Sequence, residues 1–326
     1  MMRKALDFIQ KHSSFLLTTH DGADADGIGA ELLLKNILEK KGKIVRIIHD
    51  LPVSDRFLFM LAPRNTIEVW DKEKHAAFAG ESAFIMLDTS DEYNIGKLAE
   101  EALPRAQGVL IIDHHELNPL SSLDGYVDST AASTSEMILQ IGNRLRVSPD
   151  REAAAAAFAG IVYDTGSFAY MKTSESTFLA AAQLIKAGAK AYDTYQALFE
   201  SASAGALLLQ KQVLSTLTFH GGGRVAVQIL RKEDLSSTGA SFEDAENFIN
   251  LPLRSREVMI SLLIKENEAG LVRCSLRSKG QINVSKIAQT FNGGGHATAA
   301  GFKSKLGIEE TLAQVLSMVE ITLSKL

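Results

Sequence analysis

A short apolar run at residues 109–112 (VLII) ends in Asp113, His114 and His115. Four aliphatic residues are too few for a solitary helix, but they suit a strand that is buried on both faces. Open parallel sheets bind their ligands at the carboxyl ends of the strands. We therefore expect a buried strand that delivers one carboxylate and two imidazoles to such an edge. Taken alone, an Asp-His pair at a strand end could equally be a hydrogen-bonded structural couple.

Three other apolar segments end in the same kinds of side chain. They are residues 15–19 before His20, Asp24 and Asp26, residues 84–87 before Asp88, and residues 160–163 before Asp164. Carboxylates and neutral imidazoles are ligands for divalent ions such as Mn²⁺. These groups are more than one ion requires, so we expect two ions that share a bridging carboxylate, as in two-metal phosphoester hydrolysis. His49 and His75 lack a companion ligand, and we interpret them as solvated or capping residues outside the site.

Composition places the chain among ordinary water-soluble globular proteins. It has 326 residues, of which 46% are hydrophobic, and a net charge of −5. The negative charge argues against a broad grip on long duplex nucleic acid, although it leaves room for a local basic groove. The single cysteine, Cys274, excludes an internal disulfide and suggests a buried strand thiol. The sequence shows no secretory leader and no membrane-length apolar stretch, so we expect a cytoplasmic protein without a membrane or disulfide partner.

The order of the predicted elements indicates two domains. Strands alternate with helices over roughly the first 190 residues, which favours a doubly wound α/β domain with a mainly parallel sheet at residues 1–190. Residues 191–212 form a predicted helical connection. Residues 213–326 are predicted to form a smaller α+β domain, with a helix at residues 242–250. Within the first domain, we expect a helix at residues 151–158 and a strand at residues 160–163.

A second signal lies in the predicted C-terminal domain. It consists of three glycines and a histidine, Gly293, Gly294, Gly295 and His296. Successive glycines let backbone amides approach an anion or a base closely, and we expect a helix of small residues to begin after the histidine. The other interpretation is a flexible linker. Arg277 and Ser278 lie at a predicted strand end, where the arginine suits bidentate phosphate binding; alternatively, it is a solvated turn residue.

In their order along the chain, these motifs resemble the DHH phosphoesterases that carry a C-terminal DHH-associated domain. The resemblance covers nearly the whole chain. Residues 87–91 (LDTSD) and 163–168 (YDTGSF) are similar in particular to the branch of bifunctional nanoRNases and 3′-phosphoadenosine 5′-phosphate (pAp) phosphatases. Residues 23–27 (ADADG) depart from the Pro-Asp-Gly-Asp that is common in that branch and look more like RecJ-type exonucleases. The departure retains the acidic ligands but leaves the length of the substrate open.

The resemblance implies a role for each matching residue. His20, Asp24 and Asp88 would hold one Mn²⁺ ion, and Asp26, Asp88, His114 and Asp164 would hold the other, with Mg²⁺ or Co²⁺ as alternatives. Asp113 would orient a neighbouring imidazole, and His115 would face the scissile phosphate as a catalytic residue. The substrate-binding residues would be Arg277, Ser278, Gly293, Gly294, Gly295 and His296, with the active site in a cleft between the domains.

The resemblance also implies a function. The chain would be a phosphoesterase that degrades short oligoribonucleotides from the 5′ end and converts pAp to AMP and phosphate. Alternatives are a RecJ-like single-strand exonuclease, a phosphodiesterase for linear dinucleotides such as pApA, an enzyme acting on pyrophosphate or polyphosphate, and a nucleotide sensor with a decayed metal site. The sequence leaves open the preferred substrate length, RNA against DNA, the physiological metal, the balance of the two activities, and whether the protein is a monomer or a homodimer.

Overall fold

The computed structural model describes residues 1–62, 66–115, 125–267, 269–280 and 282–324, and for His296 it describes the backbone only. The chain divides into two compact units, Met1–Ser201 and Ala202–Leu326. The division falls within the stretch that the sequence predicted to be a connection, residues 191–212. Among the described residues, no helix has both the length and the apolar character needed to cross a membrane.

The first unit is built from alternating strands and helices. Its strands are β1 Ser14–Thr18, β2 Ile44–His49, β3 Ile67–Val69, β4 Ala83–Leu87, β5 Val109–Asp113 and β6 Gly125–Val127. Its α-helices are α1 Met2–Lys11, α2 Ala25–Lys40, α3 Lys72–Glu81, α4 Lys97–Glu101, α5 Thr134–Arg144, α6 Arg151–Asp164, α7 Glu175–Lys186 and α8 Ala191–Phe199. Short 3-10 helices lie at Asp55–Met60, Glu92–Ile95 and Leu103–Arg105.

The six strands form one sheet in the order β3-β2-β1-β4-β5-β6, and every pair is parallel. Alternate side chains of β1 pack into two hydrophobic cores, one on each face of the sheet. Phe15 and Leu17 pack with α2, α5 and α6, whereas Leu16 packs on the other face with Phe84 of β4. This confirms the predicted doubly wound parallel sheet. The strand order reverses direction at β1 and β4, which is where such sheets place a ligand crevice.

The predicted strand at residues 160–163 is wrong, because α6 runs without a break from Arg151 to Asp164. Asp150 caps the start of α6, and the alanines that follow are the strongest helix formers. A short apolar run after such a segment cannot be told from buried helix by its pattern alone. Gly160 also lets α6 pack closely, since a Cβ atom there would lie 2.8 Å from an oxygen of Asp26.

The second unit is an α+β structure. Its strands are β7 Thr218–His220, β8 Val225–Leu230, β9 Ile260–Glu266, β10 Val272–Ser278, β11 Gly294–His296 and β12 Ala299–Ser304. Its α-helices are α9 Ala204–Ser215, α10 Lys232–Thr238, α11 Ser285–Gln289 and α12 Ile308–Leu323. The helix predicted at residues 242–250 is wrong, since the structure has two separate 3-10 helices there, Glu243–Ala245 and Phe248–Asn250.

The second sheet has the order β11-β12-β10-β9-β8-β7 and is antiparallel except for the pair β8–β9. One face forms a core with α11 and α12, and this core contains Cys274, as expected of a buried strand thiol. On the other face, Leu230 and Leu263 pack with Leu209 of α9 and with Phe248. The strand residues of this second core come from β8 and β9.

The glycine motif forms a hairpin with the next strand, so the predicted helix start after His296 is wrong. Gly294, Gly295 and His296 pair with Gly301, Ala300 and Ala299 of β12. Gly295 has a φ of +129°, a conformation that side chains disfavour, and a Cβ atom at Gly293 would strike the carbonyl of Gly301. Two of the three glycines are therefore required by the hairpin itself.

Candidate metal centre

Asp88 lies at the middle of a cluster of carboxylates and imidazoles at the carboxyl edge of the first sheet. It directly follows β4, is 3% exposed and has a φ of +59°, which is uncommon for a residue other than glycine. Its Oδ1 is 3.5 Å from Nε2 of His114 and 3.7 Å from Nδ1 of His115, and its Oδ2 is 3.7 Å from Nε2 of His20. One carboxylate thus faces imidazole nitrogens from the residues that follow β1 and β5.

The first group of candidate ligands is His20, Asp24 and Asp88, whose ligand atoms lie within 4.8 Å of one another. His20 follows β1, and its Nε2 is 3.9 Å from Oδ1 of Asp24. Asp24 is held in place because it caps α2, where its Oδ1 accepts hydrogen bonds from the backbone N–H groups of Asp26 and Gly27 at 2.9 and 3.2 Å. The cap fixes the carboxylate beside the imidazole.

The second group is Asp26, His114 and Asp164, again within 4.8 Å. Nε2 of His114 is 2.9 Å from Oδ2 of Asp164. Asp164 reaches the cluster from the C-terminal end of α6. The helix dipole disfavours a carboxylate at that end, and the imidazole of His114 faces it there. The structure therefore brings together all six predicted metal ligands, although Asp164 arrives from a helix and not from a strand.

The start of α5 supports both groups, and sequence reasoning missed this. The backbone N–H groups of Thr134 and Ser135 donate to the two carboxylate oxygens of Asp26 at 2.6 and 2.9 Å. The hydroxyl of Thr134 donates to Oδ1 of Asp88 at 2.8 Å. The sequence signal at this point is Ser133 followed three residues later by Glu136, which marks a helix start. It does not show which other segment the helix start will face.

His115 belongs to a third group, with Asp88 and His114, whose ligand atoms also lie within 4.8 Å of one another, and it is paired with Asp113. Oδ1 of Asp113 is 2.6 Å from Nδ1 of His115 and also accepts the backbone N–H of His115 at 3.1 Å. Burial of Asp113 works against its ionisation, but the hydrogen bond and charge of His115 hold its pKa below the usual value. The imidazole that Asp113 orients is therefore that of His115, which is partly exposed.

The cluster concentrates negative charge in a buried place. Burial first, and then the neighbouring charge of Asp164, raise the pKa of Asp26 to about 6. The pKa of Asp88 is raised well above its usual value by burial and then by the charges of Asp26 and Asp24. Burial lowers the pKa of His114, but its contact with Asp164 more than offsets this and raises the pKa to about 9. Divalent cations would relieve this repulsion, and oxygen and imidazole donors are the ligands that such ions take in proteins.

His49 and His75 are buried, so the expectation that they are solvated is wrong, whereas each has hydrogen-bond partners. Nε2 of His49 is 2.8 Å from Oε2 of Glu31, and Nε2 of His75 is 3.2 Å from Oε2 of Glu68. The carboxylate partner of His49 lies 18 residues away in the sequence and that of His75 lies 7 residues away. In the described ranges, neither histidine belongs to a group that could hold a metal ion.

The predicted substrate-binding residues lie in the second unit. Arg277 and Ser278 end β10, and the glycine motif forms β11. Arg277 and His296 are both paired with Ala299 of β12, one on each side. The hydroxyl of Ser278 donates to the carbonyl of Ile282 at 2.6 Å, which fixes the turn after β10. A Cβ atom at Gly294 would meet no atom within 4 Å, so this glycine faces open space.

Two domain families match the chain. Residues 14–161 match the N-terminal domain of the DHH family, and residues 222–325 match the DHHA1 domain. The first match contains the parallel sheet with five of the six candidate ligands, and the second contains the glycine hairpin. The chain belongs to the DHH family of phosphoesterases with a C-terminal DHHA1 domain. Members of this family are metal-dependent hydrolases.

Individual relatives cover almost the same length. The chain is 29% identical over 310 residues to the bifunctional oligoribonuclease and PAP phosphatase NrnA of Thermus thermophilus, a match that spans 95% of this chain and 90% of the relative. It is 25% identical over 307 residues to the protein of the same name from Bacillus subtilis, spanning 92% of each. Its fold is similar to that of an exopolyphosphatase-related protein from Bacteroides fragilis, with a TM-score of 0.88, 24% identity, and coverage of 99% of this chain and 95% of that one.

Proposed function

We propose that this protein is a two-metal phosphoesterase that degrades short oligoribonucleotides from the 5′ end and hydrolyses pAp to AMP and phosphate. The observation that carries the proposal is the pair of ligand groups that meet at Asp88, one from His20 and Asp24 and the other from Asp26, His114 and Asp164. A shared carboxylate is the arrangement by which two ions are held close together on one phosphate.

Mn²⁺ is the ion we propose, because the donors are a mixture of carboxylates and imidazoles. Bound ions would polarise the scissile phosphate and activate water as the nucleophile. The protein itself contributes the fixed geometry. Capping of α2 by Asp24 and the hydrogen bonds from α5 to Asp26 hold two of the ligands before any ion arrives.

His115 is the residue we assign to proton transfer. It lies beside Asp88 but is partly exposed, and Asp113 holds its Nδ1. An imidazole oriented in this way presents its other nitrogen to a ligand, where it can protonate the oxygen that leaves phosphorus. Arg277 and the hairpin of Gly293, Gly294, Gly295 and His296 are the groups we assign to the phosphate or base of the terminal nucleotide, with Ser278 fixing the strand end.

The choice of substrate is supported by the relatives. Both NrnA proteins are named for oligoribonuclease and PAP phosphatase activities, and the chain spans at least 90% of each. Short RNA and pAp share the features that such a site would recognise, namely a small size and a terminal phosphate. The net charge of −5 agrees with small anionic substrates more than with long strands.

The test is turnover of a matched panel by the full chain with Mn²⁺: an RNA dinucleotide, an RNA pentanucleotide, a long single-stranded DNA, pAp and linear pApA. We expect fast hydrolysis of the short RNAs and of pAp, release of mononucleotides from the 5′ end, and little action on the long DNA. Preference for the long DNA would overturn the proposal in favour of a RecJ-like exonuclease. Exclusive hydrolysis of pApA would overturn it in favour of a dinucleotide phosphodiesterase.

Asp88→Asn tests the two-metal arrangement directly. The substitution keeps the shape of the side chain but removes the charge shared by the two ligand groups, so we expect hydrolysis of every active substrate in the panel to be lost. The matched control is Asp71→Asn, the same change in an aspartate that caps α3 outside the cluster. An Asp88→Asn protein that kept full turnover would contradict the shared-carboxylate arrangement.

A further inference from the structure

Three cationic side chains stand in one row across the second sheet. Arg273 of β10 is paired with Lys265 of β9 on one side and with Lys303 of β12 on the other. Residues paired across a sheet point to the same face. The row, which we call the basic row, is therefore formed by Lys265, Arg273 and Lys303 on three adjacent strands.

The basic row places like charges directly opposite one another on three strands. Like charges that lie directly opposite one another on neighbouring strands repel. In the described part of the chain, neither Arg273 nor Lys303 forms an ion pair with an acidic side chain, and both are exposed. An anion that bridged the row would remove the repulsion, and exposed guanidinium and ammonium groups are the usual donors to phosphate.

Lys265 is the buried end of the row. It is 6% exposed, and its Nζ lies 4.4 Å from the centre of the Phe242 ring. Burial lowers its pKa, and the positive charges of Arg273 and Arg277 add to this, while Glu246 and Glu243 act in the opposite direction. Arg273 of the row and Arg277 thus each place positive charge near Lys265. The effect of Glu246 is larger than that of Arg273, and the effect of Glu243 is larger than that of Arg277, so acidic side chains balance the positive charge at this buried end of the row.

The basic row lies on the same face as Arg277. The two arginines are four residues apart on β10, so both point to one side and are separated by about 13 Å along the strand. Midway between Arg273 and Arg277 on β10 lies Ser275, which is paired with Gly301 of β12. On its other side Ser275 is paired with Leu263, which is buried in the second core, so only the side toward β12 carries small, half-buried residues between the two cationic positions.

We propose that the basic row binds a backbone phosphate of a single-stranded oligonucleotide beyond the nucleotide held at Arg277. The proposal rests on the proposed function, because it takes Arg277 as the position of the terminal nucleotide. A distance of about 13 Å corresponds to roughly four stacked nucleotides at 3.4 Å each, and to fewer in an extended strand. The row therefore contributes to substrates of three to five nucleotides and not to pAp or a dinucleotide.

The test compares binding of oligonucleotides of increasing length to the full chain. Fluorescence anisotropy is measured with a labelled dinucleotide, trinucleotide, pentanucleotide and heptanucleotide, in chelator so that nothing is hydrolysed, over a range of salt concentrations. In the Arg273→Gln/Lys303→Gln double variant, the ratio of pentanucleotide to dinucleotide affinity should fall. The slope of log affinity against log salt for the pentanucleotide should become shallower by about 0.7, since the row neutralises one phosphate and each phosphate contact to a single strand contributes about 0.7.

The matched control is Lys232→Gln/Lys286→Gln, which removes the same charge from exposed positions on α10 and α11 of the same unit. It should leave the length dependence as in the wild type. The proposal is overturned if the basic-row variant keeps the wild-type slope, or if it loses affinity equally at every length. Turnover with Mn²⁺ is measured separately. If the wild-type protein binds longer oligonucleotides more tightly but cleaves none of them, the proposed function is refuted and the proposal for the basic row still stands.

Discussion

Replacing Thr134 by valine tests whether the start of α5 prepares the metal centre. Valine has the shape of threonine, so the backbone hydrogen bond from residue 134 to Asp26 should persist. The change removes only the hydroxyl that donates to Oδ1 of Asp88 at 2.8 Å. Both partners are buried, at 0% and 3% exposure, so water cannot readily replace the lost donor.

The expected magnitude follows from the charge of the acceptor. A hydrogen bond to a charged group contributes about 1.5 to 3 kcal/mol, and its loss here falls on the carboxylate that both ligand groups share. Because the raised pKa of Asp88 favours its neutral form in the metal-free protein, the full strength of this hydrogen bond appears when bound ions keep Asp88 ionised. The upper limit of the effect is a roughly 10- to 150-fold weaker affinity for divalent ions, since about 1.4 kcal/mol is tenfold. We would titrate the purified, metal-free protein with Mn²⁺ by calorimetry and follow the free ion by electron paramagnetic resonance. Thr134→Ser, which restores a hydroxyl, should recover most of the affinity.

The control is Thr177→Val. Thr177 is equally buried, and its hydroxyl donates to a carboxylate oxygen of Glu136 at 2.9 Å, away from the ligand groups. It should lower thermal stability without changing Mn²⁺ affinity. Wild-type Mn²⁺ affinity in Thr134→Val, or equal loss of affinity in both valine variants, would refute the idea that the Thr134 hydroxyl positions Asp88.

Two further predictions concern titration and reactivity. The pKa of Asp26 is about 6 in the folded chain, against 3.8 for a free side chain. Between these pH values the folded state therefore binds more protons than the unfolded state. In the metal-free protein, the free energy of unfolding should fall by on the order of 3 kcal/mol as the pH rises through that window. Melting curves at pH 4 to 7 with chelator should show this loss, and Mn²⁺ at pH 7 should reverse it. Because the pKa of Asp88 is raised as well, the slope in Asp26→Asn should become shallower without vanishing, and an unchanged slope would contradict the assignment to Asp26. Burial raises the pKa of Cys274 to about 12, so a thiol reagent at pH 8 should label the protein only after denaturation; rapid labelling of the folded chain would contradict its place in the core.

Much of the first sheet could be predicted from the sequence because its strands are buried on both faces. A strand such as β4 or β5 reads as a continuous apolar run, and its end is marked by the first charged side chain. Asp88 and Asp113 were recognisable for this reason. The runs at residues 15–19 and 109–112 also identified the sheet edge at which His20 and His114 each lie near Asp88.

The tertiary structure decided the points that depend on contacts between distant segments. The apolar run before Asp164 has the same local pattern as a strand, and only its continuity with the alanine-rich part of α6 makes it a helix. The hydrogen bond from Thr134 to Asp26 joins residues 108 positions apart, so no local pattern could reveal it. The glycine motif likewise became a hairpin because β12 lay beside it.

The sequence alone determined which side chains can serve as metal ligands and which strand ends carry them. The reason is that the burial of an element and its periodicity depend on residues that are neighbours in the chain. The strand order β3-β2-β1-β4-β5-β6, the helix that supplies Asp164 and the hydroxyl that reaches Asp88 were decided only by the tertiary structure. The physical reason is that these features are set by how whole elements pack. Packing depends on the shapes of surfaces that residues far apart in the chain build together.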